Sequence, residues 1–466
     1  MLLLFRKITI YSVFFLSLWF LSVNEIFSFN GLFQTSFGAK QAGMGGANLA
    51  VGGSVMDLES NPSHLGDLKS KKFEAGSAFH FANLRYEDKL NSPNPDFSFS
   101  NRIESHPIAP LPYIGYISPI TGNIGLGIAF YTQAGGGGVF RDILKNSLNG
   151  QTLNETLGTN DPILGRQKQI HQSLTFKFIT NKITPAIGVN FGKLSIGGGI
   201  DFIVSRMMFQ RIFTDTTDTI ELPGTFRYQS NISYSLGGKF GTTYKLTPDT
   251  KIAYAYISGH VSHLDGRMEV YTSDRNFPVQ YTDISKLMSL PPRHIIGISH
   301  KTGDFLFAFD IRYIQWSQGF GANKFILERP LIPTPLGVDT NIIQFNINWK
   351  DQTVFALGME YEFKKSYFFR LGYNYGKTPL SPYGINPMIG TTTEHHLSTG
   401  LGLGSETFRF NFALEYAFPK KMTGAKSSDW AIANSVYSKD NVQAPGYSHS
   451  KTVSVFSLFL GVEVFL

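Results

Sequence analysis

The chain has 466 residues, with 41 Phe, 47 Gly, 14% aromatic and only 16% charged residues, against roughly 25% charged in soluble domains. Mean hydropathy is −0.06, so apolar residues are interleaved with polar ones, which excludes a bundle of membrane helices. The absence of cysteine excludes disulfides, thiolate metal sites and a lipidated N-terminus; the net charge of +7 is scattered, which excludes nucleic acid as a partner.

At the N-terminus, Arg6 and Lys7 precede an apolar stretch from Ile8 to Val23, and Ser28 offers a small residue before Phe29. This predicts a signal peptide over residues 1–28; the alternative is an uncleaved anchor, which is short of the ~20 residues a span needs. Residues 29–70 are Gly-rich, with Gly43, Gly45, Gly46, Gly52 and Gly53, and lack strand patterning. They form either a plug or a loose periplasmic arm.

From about Lys71 to Leu466 the chain alternates apolar and polar residues, the period-two signature of two-faced strands. Phe305, Phe307, Phe309, Ile311 and Tyr313 oppose Asp310 and Arg312. Phe355 to Phe363 repeats the pattern against Glu360 and Glu362, and Phe369, Leu371, Tyr373 and Tyr375 oppose Arg370, Gly372 and Asn374. Phe408 to Phe418 opposes Arg409, Asn411 and Glu415, and Phe456 to Leu466 opposes Ser457, Gly461 and Glu463. The apolar faces carry aromatics at both ends, as a lipid-facing surface does. Small residues on the opposite faces, such as Gly125, Gly127 and Ala129 or Ser398, Gly400 and Gly402, suit a crowded lumen.

Connections sort by length. Short ones are Pro119 to Asn123, Gly192 to Leu194, Leu246 to Thr250, Lys301 to Asp304, Phe363 to Tyr367 and Gly404 to Thr407. Long ones are Tyr86 to Pro110, Gln133 to Gln169, Thr214 to Gly224, Tyr271 to Pro292, Gln318 to Asn341, Thr378 to Glu394 and Pro419 to Lys451. The sorting predicts an all-β, up-and-down antiparallel barrel of about fourteen strands in a bacterial outer membrane, with short periplasmic turns. The expected surroundings are outer-membrane lipid and lipopolysaccharide, with insertion by the barrel-assembly machinery; the chain ends on Phe465-Leu466, where such barrels commonly end on an aromatic residue.

Gly31-Leu32-Phe33-Gln34, Ala42-Gly43-Met44-Gly45-Gly46-Ala47 and Asn61-Pro62-Ser63 resemble the N-terminal hatch of the FadL/TodX family of outer-membrane transporters for long-chain fatty acids and other hydrophobic compounds. The family's hatch usually closes with Asn-Pro-Ala; here Ser63 stands for Ala. Leu290-Pro291-Pro292 with Trp316-Ser317-Gln318, and Gly372-Tyr373-Asn374-Tyr375 within the later strand pair, resemble its signatures, and the likeness runs in order from Gly31 to Leu466. The resemblance implies a hatch over residues 29–70 that plugs a barrel over 71–466. It also implies passive uptake of a hydrophobic ligand bound in the lumen and released sideways through a kink in the third strand. By order that strand is Ile124 to Thr132, leading into Gly135, Gly136, Gly137 and Gly138, which serve either as a lateral gate or as flexible loop.

Catalytic patterns are weak. His395-His396 is adjacent rather than at metal-ligand spacing, and Gly400 to Gly404 opens no helix, so no enzyme activity, metal or cofactor is expected. The inward charges are read mainly as an ion-pair lattice between neighbouring strands; Arg312 and Arg370 are the candidates for contact with a ligand carboxylate. A general porin, or a surface-interaction or secretion-associated barrel sharing the hatch motif, are the rival functions.

Overall fold

The computed structural model describes residues 30–147, 152–157, 160, 167–272, 276, 278–320, 322–329, 332–333, 339–434 and 446–466. The predicted signal peptide lies outside the described residues. The barrel wall is β1 (Lys72–Asn91), β2 (Phe99–Ser105 and Ile108–Pro119), β3 (Ile124–Asn146), β4 (Gln169–Phe191), β5 (Leu194–Thr214), β6 (Phe226–Ser230 and Ser233–Lys245) and β7 (Thr250–Ile257, His260–His263 and Gly266–Tyr271). It continues through β8 (Val279–Ser285, Leu287–Leu290 and Arg293–Thr302), β9 (Phe305–Ile314 and Ala322–Leu327), β10 (Ile342–Asn346 and Gln352–Lys364), β11 (Tyr367–Gly376), β12 (His395–Gly404), β13 (Phe408–Thr423) and β14 (Gly446–Phe465). Each strand pairs antiparallel with its sequence neighbours, and β14 returns to β1 from Lys72↔Phe465 to Asn91↔Gly446. Closure pairs the first strand with the last, which is the condition for strands to stand in lipid, where water cannot satisfy the backbone.

The two faces of each strand exchange polarity partway up. In β4 the outward residues Ile183, Ile187 and Phe191 lie toward the short-turn end, while His171, Ser173, Thr175 and Lys177 lie above them; the inward residues change oppositely, from Thr184, Lys182 and Thr180 to Phe178, Phe176 and Leu174. β14 does the same, with Phe456 to Leu466 outward below, Thr452 and Ser454 outward above, and Val455 and Val453 turned inward. The lower half is apolar outside, as bilayer contact requires. Above it the strands run on into water with their apolar side chains inside.

This exchange corrects the expected loops. β3 continues through Gln133 to Asn146, β1 to Asn91 and β13 to Thr423, and strands occupy much of Tyr271 to Pro292. A search for apolar-outward alternation loses such segments, because their apolar residues sit on the other face.

Residues 30–70 fill the lower lumen and are almost wholly buried. A short helix (Ala39–Gly43) leads to a turn of 3-10 helix at Val55–Glu59 and a second at Pro62–Asp67. The first is capped reciprocally: the Ser54 hydroxyl accepts from Met56 N at 3.0 Å, and Asp57 accepts from Ser54 N at 2.9 Å. The second opens on Asn61, whose Oδ1 accepts from Ser63 N at 3.2 Å, followed by Pro62, which has no N–H to leave unpaired. The crowded lumen expected from small residues is real, and the crowding is backbone. A Cβ at Gly372 would stand 2.0 Å from Gly45 N, and one at Gly197 2.3 Å from the Pro62 carbonyl carbon.

Candidate functional site

Inward charges of the lower wall grip this hatch. Asp310 accepts from Asn48 N and Leu49 N at 2.9 and 3.0 Å, and Arg312 donates to the carbonyls of Thr35 and Gly46. Glu74 accepts from the Ser54 hydroxyl and Val55 N at 2.7 and 2.8 Å; Lys239 donates to Leu58 O and Glu59 O at 3.1 and 3.0 Å. Glu415 accepts from the Thr35 hydroxyl at 2.7 Å, and Arg293 pairs with Glu59. The expected strand-to-strand lattice survives only in part, as Arg370–Glu360 at 2.6 Å and Arg409–Glu463 at 3.3 Å. Asp310, Arg312, Glu74 and Lys239 bond hatch backbone because a segment with so little regular structure presents unpaired N–H and C=O groups, which buried charged side chains satisfy.

The remaining predicted residues fall into place around the same hatch. Gly43 faces Gly400, Gly45 and Gly46 adopt φ of 63° and 81°, and Asn61 donates to Leu49 O at 2.8 Å and to the Thr243 hydroxyl at 2.9 Å. The Gly372 to Tyr375 signature divides by parity. Gly372 and Asn374 point inward, the Asn374 amide donating to Gly45 O at 3.2 Å, whereas the Tyr373 hydroxyl faces out against His395 at 2.6 Å. Trp316 is fully buried where hatch meets chamber. Its ring lies tilted against Phe33 at 4.8 Å and edge-to-face with Trp349 at 4.9 Å, and a Cβ on Gly31 would sit 2.4 Å from it.

Above Trp316 the lumen is an apolar chamber filled by its own side chains. Phe209 meets Phe226 and Phe325 at 5.0 and 5.5 Å, Tyr228 meets Phe325 at 5.2 Å, and Phe176, Phe178 and Met207 join the same cluster. These residues were missed in the sequence because they lie on inward faces expected to be small or polar.

β3 bends into the lumen between the hatch and this chamber. Tyr131 to Gly135 are buried in succession, so neither face of the strand meets solvent there, and the register with β4 slips between Thr132 and Ala134. Such a bulge bends the strand. The ladder to β2 ends at Tyr113↔Tyr131. Pro110 and Pro112 account for this: the β2 ladder to β1 runs unbroken through both, so the N–H groups they lack are those that would face β3. The hatch takes up the exposed edge, with Gly135 N donating to Leu32 O at 3.2 Å, Phe33 bridging Ala134, and the Gln34 amide donating to Thr132 O at 2.7 Å. Gly135 to Gly138 are thus strand, paired to β4 from Ile179 to Phe176. A cavity of about 20 Å³ lies among Leu32, Leu84, Gly136 and Lys451, room for about one water.

Within the hatch, burial pushes Glu59 upward, but the charges of Arg293 and Lys239 and the Arg293 hydrogen bond outweigh it and hold it below its usual 4.5. Burial also lowers His64 from 6.5, keeping it neutral with Nε2 at 2.8 Å from Leu49 O. Both groups bind protons more readily in a released hatch, so their contribution to seating is full above the ordinary value of each and weakens as pH falls, first through His64 and then through Glu59.

Comparison with curated protein sequences finds no match. Among solved structures the chain is similar to the Pseudomonas putida toluene transporter TodX, at 16% identity over 93% of this chain and 99% of that one, with a TM-score of 0.66. A Pseudomonas aeruginosa FadL homologue matches at 12% identity over 93% and 99% with a TM-score of 0.68, and the Ralstonia pickettii toluene transporter TbuX at 16% over 95% and 100% with 0.59. At these identities the likeness shows the fold. A family model, described as outer membrane protein transport protein (OMPP1/FadL/TodX), matches residues 168–454. The hatch-plugged barrel with its bent third strand therefore belongs to this family of outer-membrane transporters of hydrophobic compounds.

Proposed function

We propose that the protein passes hydrophobic molecules, long-chain fatty acids or monoaromatic compounds, inward across the outer membrane without an energy source. The observation that carries the reading is the apolar chamber standing on a polar floor sealed by the hatch. An apolar ligand partitions into the chamber, gaining roughly 25 cal/mol per Å² of surface removed from water. It has no polar route through the floor. The exit open to it is sideways, where β2 and β3 are unpaired and the Leu32–Gln34 segment bonds the inner edge. Displacement of that segment joins chamber to bilayer.

Two of the structurally similar barrels, TodX and TbuX, are toluene transporters, which supports a small aromatic ligand as much as a fatty acid. A carboxylate contact with Arg312 or Arg370 requires prior movement, since Arg312 holds hatch carbonyls and Arg370, fully buried, holds Glu360 and Asn411. Lipopolysaccharide around the upper wall and insertion by the barrel-assembly machinery fit the apolar outer belt. Uptake of labelled oleate and labelled toluene by a transporter-null host expressing this chain is the test. Uptake of at least one above the empty-vector rate is expected; uptake of neither overturns the reading.

A further inference from the structure

Above the gap, β2 and β3 are rejoined by side chains. The Asn101 carboxamide on β2 accepts from Leu144 N and donates to Leu144 O, both at 2.9 Å, which copies with one side chain the paired bonds of an antiparallel ladder. Below it the Ser105 hydroxyl accepts from Val139 N at 3.3 Å. Behind Asn101 lies Asp88 of β1, its side chain without exposure. It accepts from the Asn101 amide at 2.6 Å, the Tyr86 and Tyr447 hydroxyls at 2.9 and 3.0 Å, and the Lys145 ammonium. Lys145, on β3, is itself ringed by Phe99, Tyr447 and Trp430 at 5.0, 5.7 and 5.9 Å.

The partners of this cluster are placed by the gap. They come from β1, β2, β3 and β14, with Trp430 from the short helix Asp429–Asn434. β3 leaves the wall at the Gln133 bulge and returns through a second irregularity between Phe140 and Ile143, with Asp142 at a φ of 56°. A backbone ladder restarting there would extend downward pair by pair and close the gap. A side-chain clasp holds at one level and does not propagate.

We propose that the Asn101–Asp88–Lys145 clasp is the upper stop of the lateral gap, so that it sets the height of the opening and the largest ligand that leaves through it. The proposal rests on the lateral route above and makes Asn101 a positioning residue. Between Tyr113–Tyr131 and Ser105–Val139 the opening spans about 26 Å of strand.

The test measures uptake of labelled xylene and labelled pyrene by cells carrying the wild-type chain, Asn101→Leu or the milder Ser105→Ala. Asn101→Leu removes both bonds to Leu144 while keeping side-chain size. Pyrene uptake is expected to rise at least about fivefold relative to xylene in Asn101→Leu and by less in Ser105→Ala, with xylene uptake within about twofold of wild type. An unchanged pyrene-to-xylene ratio in either folded variant, judged by heat-modifiable migration, overturns the clasp. Failure of the lateral route shows differently: xylene uptake then persists undiminished in a chain whose gap is filled by Gly136→Val and Gly138→Val.

Discussion

Replacing Arg312 with Ala is expected to convert a nearly silent barrel into a conducting one, with single-channel conductance in planar bilayers rising about tenfold or more. The guanidinium donates to the carbonyls of Thr35 and Gly46, on either side of the helix Ala39–Gly43, and so staples two distant points of the hatch to β9. Removal leaves both carbonyls buried without that donor, and each buried acceptor left unsatisfied costs about 1–3 kcal/mol. Asp310, two residues back on the same strand face, loses its neighbouring cation and holds Asn48 N and Leu49 N less firmly. The hatch has a small core of its own and depends on these contacts, so it is expected to loosen while the wall, whose ladders do not involve Arg312, stays closed. Conductance equal to wild type in a correctly inserted Arg312→Ala barrel would show that the hatch is held elsewhere.

The second large effect is expected from Gly136→Val with Gly138→Val: uptake of oleate and toluene falls about tenfold or more, and the barrel still assembles. A Cβ at position 136 would lie 2.9 Å from Leu32 Cδ2, and one at 138 would lie 2.8 Å from the Phe140 ring and 3.2 Å from Leu84. Overpacking of this kind costs about 1–3 kcal/mol per site, which the long β3–β4 ladder tolerates, and Val suits a strand better than Gly. What the substitution removes is space at the inner rim of the gap, and it wedges against Leu32 in the segment that must move. Undiminished uptake of both compounds would refute a lateral exit at β3.

Alternation was legible wherever apolar residues face lipid, as in Phe408 to Phe418 or Phe456 to Leu466, because one face of a strand sees one solvent for its whole span. It failed above the bilayer, where Leu174, Phe176 and Phe178 turn the pattern over within β4. Arg312 and Asp310 could be placed inward by parity, but parity says nothing of what stands opposite. Their partners are hatch carbonyls and amides some 260 residues or more away in the chain. The prolines of β2 were a usable signal that went unread: Pro110 ends a stretch counted as loop and Pro112 follows it, and prolines spaced two apart in a strand mark one edge as unable to donate. Asn101 carried no such signal, since an inward Asn becomes a clasp only when a bent neighbour presents Leu144 to it.

Sequence by itself determined the class of environment. Period-two alternation with aromatic outer faces and sorted loops requires a closed barrel in lipid, because no other arrangement of such strands satisfies its backbone there; a plug inside it was only what the resemblance of the N-terminal motifs implied. Tertiary structure decided what the plug and the gap are made of. Which inward charge grips which hatch atom, and where β2 and β3 part, depend on strand register around a closed ring. Register brings together residues whose separation along the chain no local pattern encodes.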